Sequence, residues 1–256
     1  MRNEPGSRNK FQKRFDNVAP RYEKMTFEGS IGTRFVDIRE QELVKSMYRD
    51  SFSDKKMILD IGAGNGRWSK LFLSMGCKVF SLDNSPEMCK KLRNIKGTTV
   101  IHGNVEEKDI AEEFDIIFSM RTLKYTDLSK VMANLDKNLS TSGVMILELP
   151  NTYNPFYLLS RFLSPILPHV IKRKSIGEYL HAINYYTERM AREIFSNFGY
   201  EVVGVKKLFF FPDFFYSKAD NAHVLSIMRG IDSIFYRSFP TRFIFIIKRT
   251  DCQLKS

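Results

Sequence analysis

The chain has 256 residues, of which 43% are hydrophobic and 27% are charged, and its formal net charge is +11. This length predicts one sizeable core, and no apolar run reaches the roughly 18 residues of a membrane-spanning helix, which argues against a transmembrane protein. The positive charge is compatible with RNA, an anionic membrane surface or an acidic substrate as partner, and equally with solubility alone.

The N-terminal part of the chain predicts an arm followed by a helical cap. Residues 1–10 are polar and lack the apolar core of a signal peptide, so we expect a mobile arm. Apolar side chains recur at spacings of three and four over residues 11–50, which predicts two amphipathic helices. The cysteines, Cys77, Cys89 and Cys252, are widely spaced and odd in number, which indicates a reducing, cytoplasmic location.

A glycine-rich turn opens the main domain, which we expect to span residues 51–256. A buried strand at about 56–61 runs directly into three alternating glycines, Gly62, Gly64 and Gly66. Glycines there let the backbone turn sharply into a helix and approach a ligand closely. Their spacing is one residue tighter than in dinucleotide-binding loops, and no phosphate-binding lysine follows. The turn therefore favours a nucleoside without a pyrophosphate.

The second predicted strand, 78–83, also ends in a carboxylate. Asp83 follows the glycine turn at the separation where Rossmann geometry brings an acid to the ribose hydroxyls, and Asn84 continues the same sheet edge. We therefore expect Asp83 to accept hydrogen bonds from both hydroxyls of a ribose.

The rest of the chain alternates strands with helices, which predicts a parallel α/β sheet covered on both faces. Further strands are predicted at 98–102, 114–119, 143–149, 200–206 and 243–247, and helices at 66–75, 127–139 and 187–199. The final strand has no crossover helix of its own, so we expect it to be the antiparallel seventh strand.

Two segments, 151–186 and 207–241, interrupt this alternation. Both leave the carboxyl ends of parallel strands, which is the edge where open α/β sheets bind ligands. We therefore expect both insertions, together with the N-terminal helices, to cap the active site.

The motif Asp-x-Gly-x-Gly-x-Gly at residues 60–66 resembles the first motif of class I S-adenosylmethionine-dependent methyltransferases. The resemblance implies a Rossmann-like seven-stranded sheet with S-adenosylmethionine as cofactor, its methionine end above the glycines and near Asp60. It also implies that Asn104 and Val105 hold the adenine and that Met120 faces the methyl donor. No metal is implied, because the histidines and cysteines show no ligand spacing.

Phe15 to Met25 and Ser30 to Arg34 resemble the N-terminal signature of the ubiquinone/menaquinone biosynthesis C-methyltransferase family. On this resemblance alone, Arg34 meets the cofactor carboxylate. After the fourth strand the chain departs from the family by carrying Arg121 and Lys124, which leaves the acceptor open. The same positions lack the Glu-x-x-Glu-His of the pathway's O-methyltransferases, which disfavours a metal-assisted reaction.

Three side chains are candidates for the chemistry. His181 is the leading proton acceptor, because histidine titrates near neutrality and this one lies on the insertion after the fifth strand. Tyr22 is a candidate on the acceptor side, and Arg121 can pair with an acidic group of the acceptor. Ordinary packing or a solvated basic turn remains the alternative for each.

The insertions indicate the substrate class. Residues 208–216 hold six aromatic side chains, and the apolar segment 156–163 precedes the basic cluster 172–174, a combination that suits peripheral attachment to anionic headgroups. We therefore predict a methyltransferase for a lipophilic small molecule, a quinone precursor or lipid-like, at the inner membrane face, with no specific nucleic acid and an undetermined oligomeric state. The alternatives are an RNA or tRNA methyltransferase and a non-catalytic cofactor-binding accessory protein.

Overall fold

A computed structural model describes residues 5–23, 28–51, 56–163 and 183–250. Within these ranges seven strands form one sheet, in the order β3-β2-β1-β4-β5-β7-β6. The strands are β1 (Met57–Ile61), β2 (Lys78–Asp83), β3 (Thr98–His102), β4 (Phe114–Ser119), β5 (Leu139–Pro150), β6 (Tyr200–Leu208) and β7 (Arg242–Arg249). The helices are α1 (Pro5–Val18), α2 (Ile31–Ser51), α3 (Arg67–Ser74), α4 (Pro86–Arg93), α5 (Leu128–Leu135), α6 (Pro155–Leu163), α7 (Glu188–Asn197), α8 (Asp213–Tyr216) and α9 (Ala222–Phe235).

The sheet has the topology that the sequence predicts. Strands β1 to β5 are parallel, and β7 runs antiparallel between β5 and β6, which confirms the prediction for the last strand. The chain adds strands outward from β1 to β3 and then returns to place β4 against β1. This reversal creates a crevice at the carboxyl ends of β1 and β4, where open sheets bind ligands.

The strands are buried on both faces, so their side chains feed two separate cores. In β1, Leu59 and Ile61 pack with α5 and α7, whereas Ile58 packs with α2 and α3 on the opposite face. A parallel strand buried on both sides is apolar almost throughout, which explains why the sequence shows these strands so clearly. No helix in the described ranges has the length and apolarity needed to cross a bilayer.

Two predicted elements differ in their bounds from the structure. Helix α1 begins at Pro5, within the segment 1–10 that we expected to be an arm. Helix α5 ends at Leu135 and strand β5 begins at Leu139, so the helix is shorter and the strand longer than predicted. Of the insertion 151–186, the structure describes α6 and the residues from 183 onward.

The start of α2 is fixed against α8 by two residues of the N-terminal signature. Ser30 Oγ donates a hydrogen bond to the Tyr216 carbonyl (3.0 Å), and the Gly32 amide donates to the Ala219 carbonyl (3.0 Å). A Cβ atom on Gly32 would lie 2.1 Å from the Tyr216 carbonyl oxygen. Glycine is therefore required here by close backbone approach, and this part of the signature serves to join two helices.

We predict that Gly32→Ala destabilises the fold and that Gly230→Ala does not. The first substitution forces α2 and α8 apart, and overpacking of this kind costs roughly 1–3 kcal/mol. Gly230 lies within α9, where a Cβ atom would have no neighbour within 4 Å, so alanine there should stabilise the helix by about 0.5–1 kcal/mol. Urea unfolding of both variants measures the difference, and equal stability would show that the helices are not in contact at Gly32.

Candidate functional site

A cleft lies at the carboxyl ends of β1, β2, β3 and β4, and it encloses about 1050 Å³ including its open mouth. Loops that follow these four strands form its walls. The residues that they contribute are Gly62, Ala63, Gly64 and Asn65 after β1, Asp83 and Asn84 after β2, Gly103 to Glu106 after β3, and Met120 to Thr122 after β4. The structure thus brings Gly62, Gly64, Asp83, Asn84, Asn104, Val105 and Met120 together, as the sequence predicts.

The three glycines of the turn have different roles. All have positive φ, at 66° for Gly62, 58° for Gly64 and 79° for Gly66. Gly62 and Gly64 line the cleft, and a Cβ on Gly62 would lie 2.1 Å from Thr122 Oγ1. Gly66 does not line the cleft but precedes α3, where a Cβ would lie 2.1 Å from Ile95 Cδ1. Its φ of 79° is one that glycine adopts without strain, so Gly66 lets α3 begin directly after the turn, and its predicted part in binding the cofactor stays a prediction.

Asp83 is held in place by the glycine turn. Its Oδ2 accepts a hydrogen bond from the Gly64 amide (2.8 Å), and its Oδ1 accepts from the Ser85 amide (2.9 Å). Burial raises the pKa of this carboxyl, and the Ser85 and Gly64 amides oppose that rise. Each carboxylate oxygen has a second lone pair, so Asp83 can still accept hydrogen bonds from a ribose within the cleft.

Asp60 lies beneath the turn and does not itself line the cleft. Ser69 Oγ donates to its Oδ2 (2.6 Å), whereas no described residue donates to its buried Oδ1. Burial raises the pKa of Asp60 to about 7. A buried carboxylate with an unsatisfied oxygen is stabilised by nearby positive charge. Its effect on a ligand in the cleft would therefore act through space, and the prediction that Asp60 lies near the positive end of the cofactor stays a prediction.

The wall after β3 is shaped by its own hydrogen bonds. Asn104 Oδ1 accepts from the Glu106 amide (3.1 Å), which makes a local turn typical of asparagine. Val105, Leu82 and Met88 supply an apolar surface beside it. An apolar wall with a neighbouring polar side chain suits the flat ring and polar edge of a nucleoside base.

The roof of the cleft is aromatic, and three of its side chains come from the N-terminal part of the chain. Phe11 and Phe15 of α1 contact the Tyr125 ring with centroid distances of 4.7 and 5.5 Å, and Tyr22 and Trp68 also line the cleft. Among the described residues, none from α6, α8 or α9 lines the cleft. Helices α8 and α9 pack against α2, and residues 164–182 of the first insertion lie outside the described ranges, so the expectation that both insertions cap the cleft stays a prediction.

A buried cluster of charges lies behind the cleft, centred on Glu40 of α2. This fully buried carboxylate accepts ion pairs from Arg67 (2.6 Å), Arg121 (2.8 Å) and Arg242 (2.8 Å). Burial alone would raise the pKa of Glu40, but Arg121, Arg242 and Arg67 together hold it well below its ordinary value. Glu40 is thus ionised and ties four separate parts of the chain together.

Arg121 belongs to both the cleft and this cluster. Its guanidinium pairs with Glu40 and with Asp213 (3.3 Å), and its amide donates to Glu148 Oε2 (2.6 Å). Burial opposes its protonation, but Asp213 and Glu40 raise the pKa of Arg121 well above the ordinary value. Its φ of 64° is strained for a residue other than glycine. Arg121 therefore lines the cleft as a positioned, charge-paired group.

The remaining predicted residues have three different outcomes. Tyr22 lines the cleft, and burial raises its pKa against the opposing effects of Arg121 and Lys124, so its hydroxyl stays protonated at neutral pH.

Arg34 is exposed on α2 and does not reach the cleft, because the helix turns Thr33 and Val36 inward instead. His181 lies outside the described residues. The described ranges contain no group of three or more potential metal ligands.

The sequence analysis missed Glu40, Arg67, Asp213 and Arg242. Glu40 could have been found, because it lies between Val36 and Val44 on the apolar stripe of a predicted helix. A carboxylate on such a stripe is rarely buried without a charged partner. The partners themselves come from distant parts of the chain and leave no local pattern.

Comparisons with known proteins agree with this geometry. Residues 59–147 match a family model described as a methyltransferase domain. The mitochondrial ubiquinone biosynthesis O-methyltransferase of Schizosaccharomyces pombe is 29% identical over 141 residues, which are 51% of this chain and 50% of that protein. The match thus spans half the length of the curated relative.

Solved structures share the fold at low sequence identity. One is the magnesium protoporphyrin IX methyltransferase of Synechocystis, which was solved with bound SAH. It has a TM-score of 0.64 at 13% identity, and the match covers 95% of this chain and 99% of that protein's chain. A structure described as a sarcosine dimethylglycine methyltransferase from Galdieria sulphuraria has a TM-score of 0.58 at 18% identity, covering 86% and 88%. The methyltransferase domain implies S-adenosylmethionine as cofactor, and the buried Asp60 oxygen and the Asp83 carboxylate fit that cation and its ribose.

We predict that Glu40→Gln lowers the free energy of unfolding by about 3–5 kcal/mol, because it leaves buried arginines without their central carboxylate. Glu42→Gln is the matched control on the same helix: its pair with Arg39 (3.0 Å) is largely exposed, and loss of such a pair costs at most about 1 kcal/mol. Urea unfolding at pH 7 measures the free energy of unfolding of both variants. Losses of similar size would contradict a central role for Glu40.

Proposed function

We propose that this chain, whose residues 59–147 match a methyltransferase domain, transfers a methyl group from S-adenosylmethionine to a small lipophilic acceptor. The acceptor class is a quinone precursor or another lipid-like molecule. One observation carries the proposal: a single cleft presents an amide-anchored carboxylate at one wall and an aromatic roof above it.

The cofactor half of the cleft would be formed by the loops after β1, β2 and β3. Asp83 would accept hydrogen bonds from the ribose hydroxyls, and Gly62 and Gly64 would run beneath the methionine part. Asn104 and Val105 would hold the base, since the loop offers an apolar wall with a polar edge. When bound, the cofactor supplies an electrophilic methyl group on a positively charged sulfur, which the Asp60 carboxylate would stabilise through space.

The acceptor half would be the aromatic roof. Phe11, Phe15, Tyr22 and Tyr125 form adjoining ring faces, and such surfaces favour a flat apolar molecule over a hydrated one. Methyl transfer is an in-line displacement, so the protein gains rate mainly by aligning acceptor and methyl group and by excluding water. An aromatic roof is suited to both tasks.

The proton that the acceptor loses needs a group to receive it. Tyr22 is held neutral by burial, so we assign it to hydrogen bonding and orientation of the acceptor. His181 remains the proposed general base, because its imidazole can take a proton at neutral pH. Arg121 would hold the cleft wall in shape, since its charge is already paired with Glu40 and Asp213.

The curated relative supports this acceptor class. Its name places it in ubiquinone biosynthesis, and the N-terminal signature of this chain resembles a second methyltransferase family of quinone biosynthesis. Because a quinone precursor with a prenyl tail resides in a membrane, the proposal includes peripheral attachment at an anionic membrane face.

Two other functions make different predictions. An RNA or tRNA methyltransferase is favoured by the net charge of +11 and would bind RNA with a steep dependence on salt. A non-catalytic accessory protein would bind the cofactor but methylate nothing. The fraction in which a labelled methyl group is found distinguishes both alternatives from the proposed function.

We expect labelled methyl groups from S-adenosylmethionine to enter the organic phase when the protein is incubated with a cell extract that is then partitioned. An apolar acceptor carries its label into the organic solvent, whereas methylated RNA stays in the aqueous phase. Label in the aqueous RNA fraction would overturn the lipophilic acceptor. Absence of label from every fraction, with cofactor binding intact, would favour the accessory function.

Asp83→Ala should weaken binding of S-adenosylhomocysteine by roughly 10- to 100-fold, because hydrogen bonds to a charged group contribute about 1.5–3 kcal/mol. Fluorescence titration of Trp68, which lines the cleft, gives the dissociation constant. Asp109→Ala is the control, since that carboxylate is exposed outside the cleft. A thermal melt of each variant separates loss of binding from loss of folding, and tight binding by folded Asp83→Ala would remove the ribose assignment.

A further inference from the structure

Helix α1 spans the cleft and is attached to the domain on both sides of it. On one side, Phe11 and Phe15 pack against the Tyr125 ring, which belongs to the loop after β4. On the other side, Asp16 Oδ1 accepts a hydrogen bond from Ser85 Oγ (2.5 Å), at the start of α4. The helix therefore joins the wall after β2 to the wall after β4.

A second hydrogen bond fixes the chain just after α1 to the same helix. The Lys91 ammonium, in the last turn of α4, donates to the carbonyl of Ala19. At the other end of α4, Ser85 Oγ also accepts from the Met88 amide (3.2 Å) and so caps the helix. Residues 11–22, which we call the strap, are thus held along the length of α4.

Ser85 links the strap directly to the acid that we assign to the ribose. Its amide donates to Asp83 Oδ1 (2.9 Å), and its hydroxyl donates to Asp16 Oδ1 (2.5 Å). Burial is the main cause of the raised pKa of Asp83, and the negative charge of Asp16 adds to the rise. The two carboxylates are therefore coupled through one residue and through their charges.

Stability of α1 alone does not account for an acid at position 16. Asp16 lies in the last turn of the helix, where the partial negative charge of the helix end disfavours a carboxylate. It also lies near a second carboxylate, Asp83. The hydrogen bond from Ser85 offsets these two repulsions only while the strap is seated on α4.

We infer that Asp16 is a positioning residue for cofactor binding: its hydrogen bond with Ser85 holds the strap over the ribose site, an inference that rests on the cofactor binding proposed above. Asp16 is not among the residues that line the cleft, so it acts through the strap, whose Phe11, Phe15 and Tyr22 do line it. A cofactor in the cleft would contact these rings, so cofactor binding and seating of the strap favour each other.

The rate of cofactor release is the quantity that this arrangement sets. A bound nucleoside lies beneath the strap, so its release requires the strap to lift from α4. Release steps of this kind depend on the contacts that hold the covering segment in place. Loss of the Asp16 or the Lys91 hydrogen bond should therefore shorten the lifetime of the complex.

Dissociation of labelled S-adenosylmethionine from the full chain, chased with excess S-adenosylhomocysteine, tests the inference. We expect Asp16→Ala to speed dissociation by about tenfold or more, since a hydrogen bond to a charged group is lost. Glu23→Ala is the matched control, because it removes an exposed carboxylate from the same N-terminal segment. It should leave the rate unchanged.

The second attachment provides an independent variant. Lys91→Met keeps the aliphatic stem but removes the hydrogen bond to Ala19, and we expect dissociation to be roughly three- to tenfold faster. Lys90→Met is its control, because the Lys90 ammonium pairs with Glu87 of α4 itself (2.6 Å). Thermal melts confirm that each variant is folded.

Asp16→Asn separates positioning from packing. Its amide oxygen can still accept from Ser85 Oγ, so dissociation should be slower than in Asp16→Ala. Removal of the negative charge lowers the pKa of Asp83, so this acid stays ionised, and tight binding of S-adenosylhomocysteine should persist, to a lower pH than in the unchanged protein. Among the described residues, the titratable side chains that interact with Asp83 are Asp16, His102, Asp60, Tyr22 and Cys89. Only the first of them differs between the two proteins.

Unchanged dissociation in folded Asp16→Ala and Lys91→Met would overturn the inference, as would equal acceleration in the Glu23→Ala control. Asp16→Asn that releases cofactor as fast as Asp16→Ala, with the pH dependence of the unchanged protein, would also contradict it. None of these measurements requires an acceptor, so their failure is distinct from failure of the proposed methyl transfer.

Discussion

The ion pairs of Glu40 hold the carboxyl edge of the sheet in its observed shape. One fully buried carboxylate accepts from arginines on α3, on the turn after β4 and on β7. Charges so deeply buried are tolerated only when they are paired and hydrogen-bonded. Helix α2 therefore has one docking position at which all three arginines are satisfied, and that position sets the rear wall of the cleft.

Two groups of charges give the cleft its electrostatic character. One is the Glu40 cluster, and the other is the pair of carboxylates Asp60 on β1 and Asp83 on β2. Behind the cleft, the positive charge of Arg121 is cancelled by Glu40 and Asp213. Beneath it, Asp60 keeps an oxygen that no described residue satisfies, and burial raises its pKa to about 7. A cationic ligand above Asp60 would therefore offset the free-energy cost of burying that carboxylate. An anionic ligand finds no unpaired arginine among the described residues behind the cleft. This asymmetry suits a sulfonium cofactor, and it explains why Arg121 is better placed to shape the wall than to bind an acidic acceptor.

The parts of this arrangement that the sequence predicted are those encoded locally. The strands follow from apolar runs, the turn follows from Gly62 and Gly64, and Asp83 follows from its position at the end of β2. Long-range contacts were not predictable in this way. Arg34 is turned outward by the period of α2, and the partners of Glu40 come from residues 67, 121 and 242. The one feature of the sequence that indicated a buried cluster was Glu40, a carboxylate on the apolar stripe of a predicted helix.

Asp213 connects helix α8 to the wall of the cleft. It begins α8, whose Phe214 and Phe215 are exposed, and it pairs with Arg121 (3.3 Å) and Arg242 (3.2 Å) at the rear of the cleft. Arginine at position 121 is held at a φ of 64°, and a strained backbone persists only where its surroundings fix it. A shift of α8 would remove one of the two carboxylates that fix the Arg121 side chain and leave Glu40 as its ion-pair partner. The position of α8 is therefore coupled to the shape of the cleft wall by two routes: directly through Asp213, and through the contacts of α8 with α2, which carries Glu40.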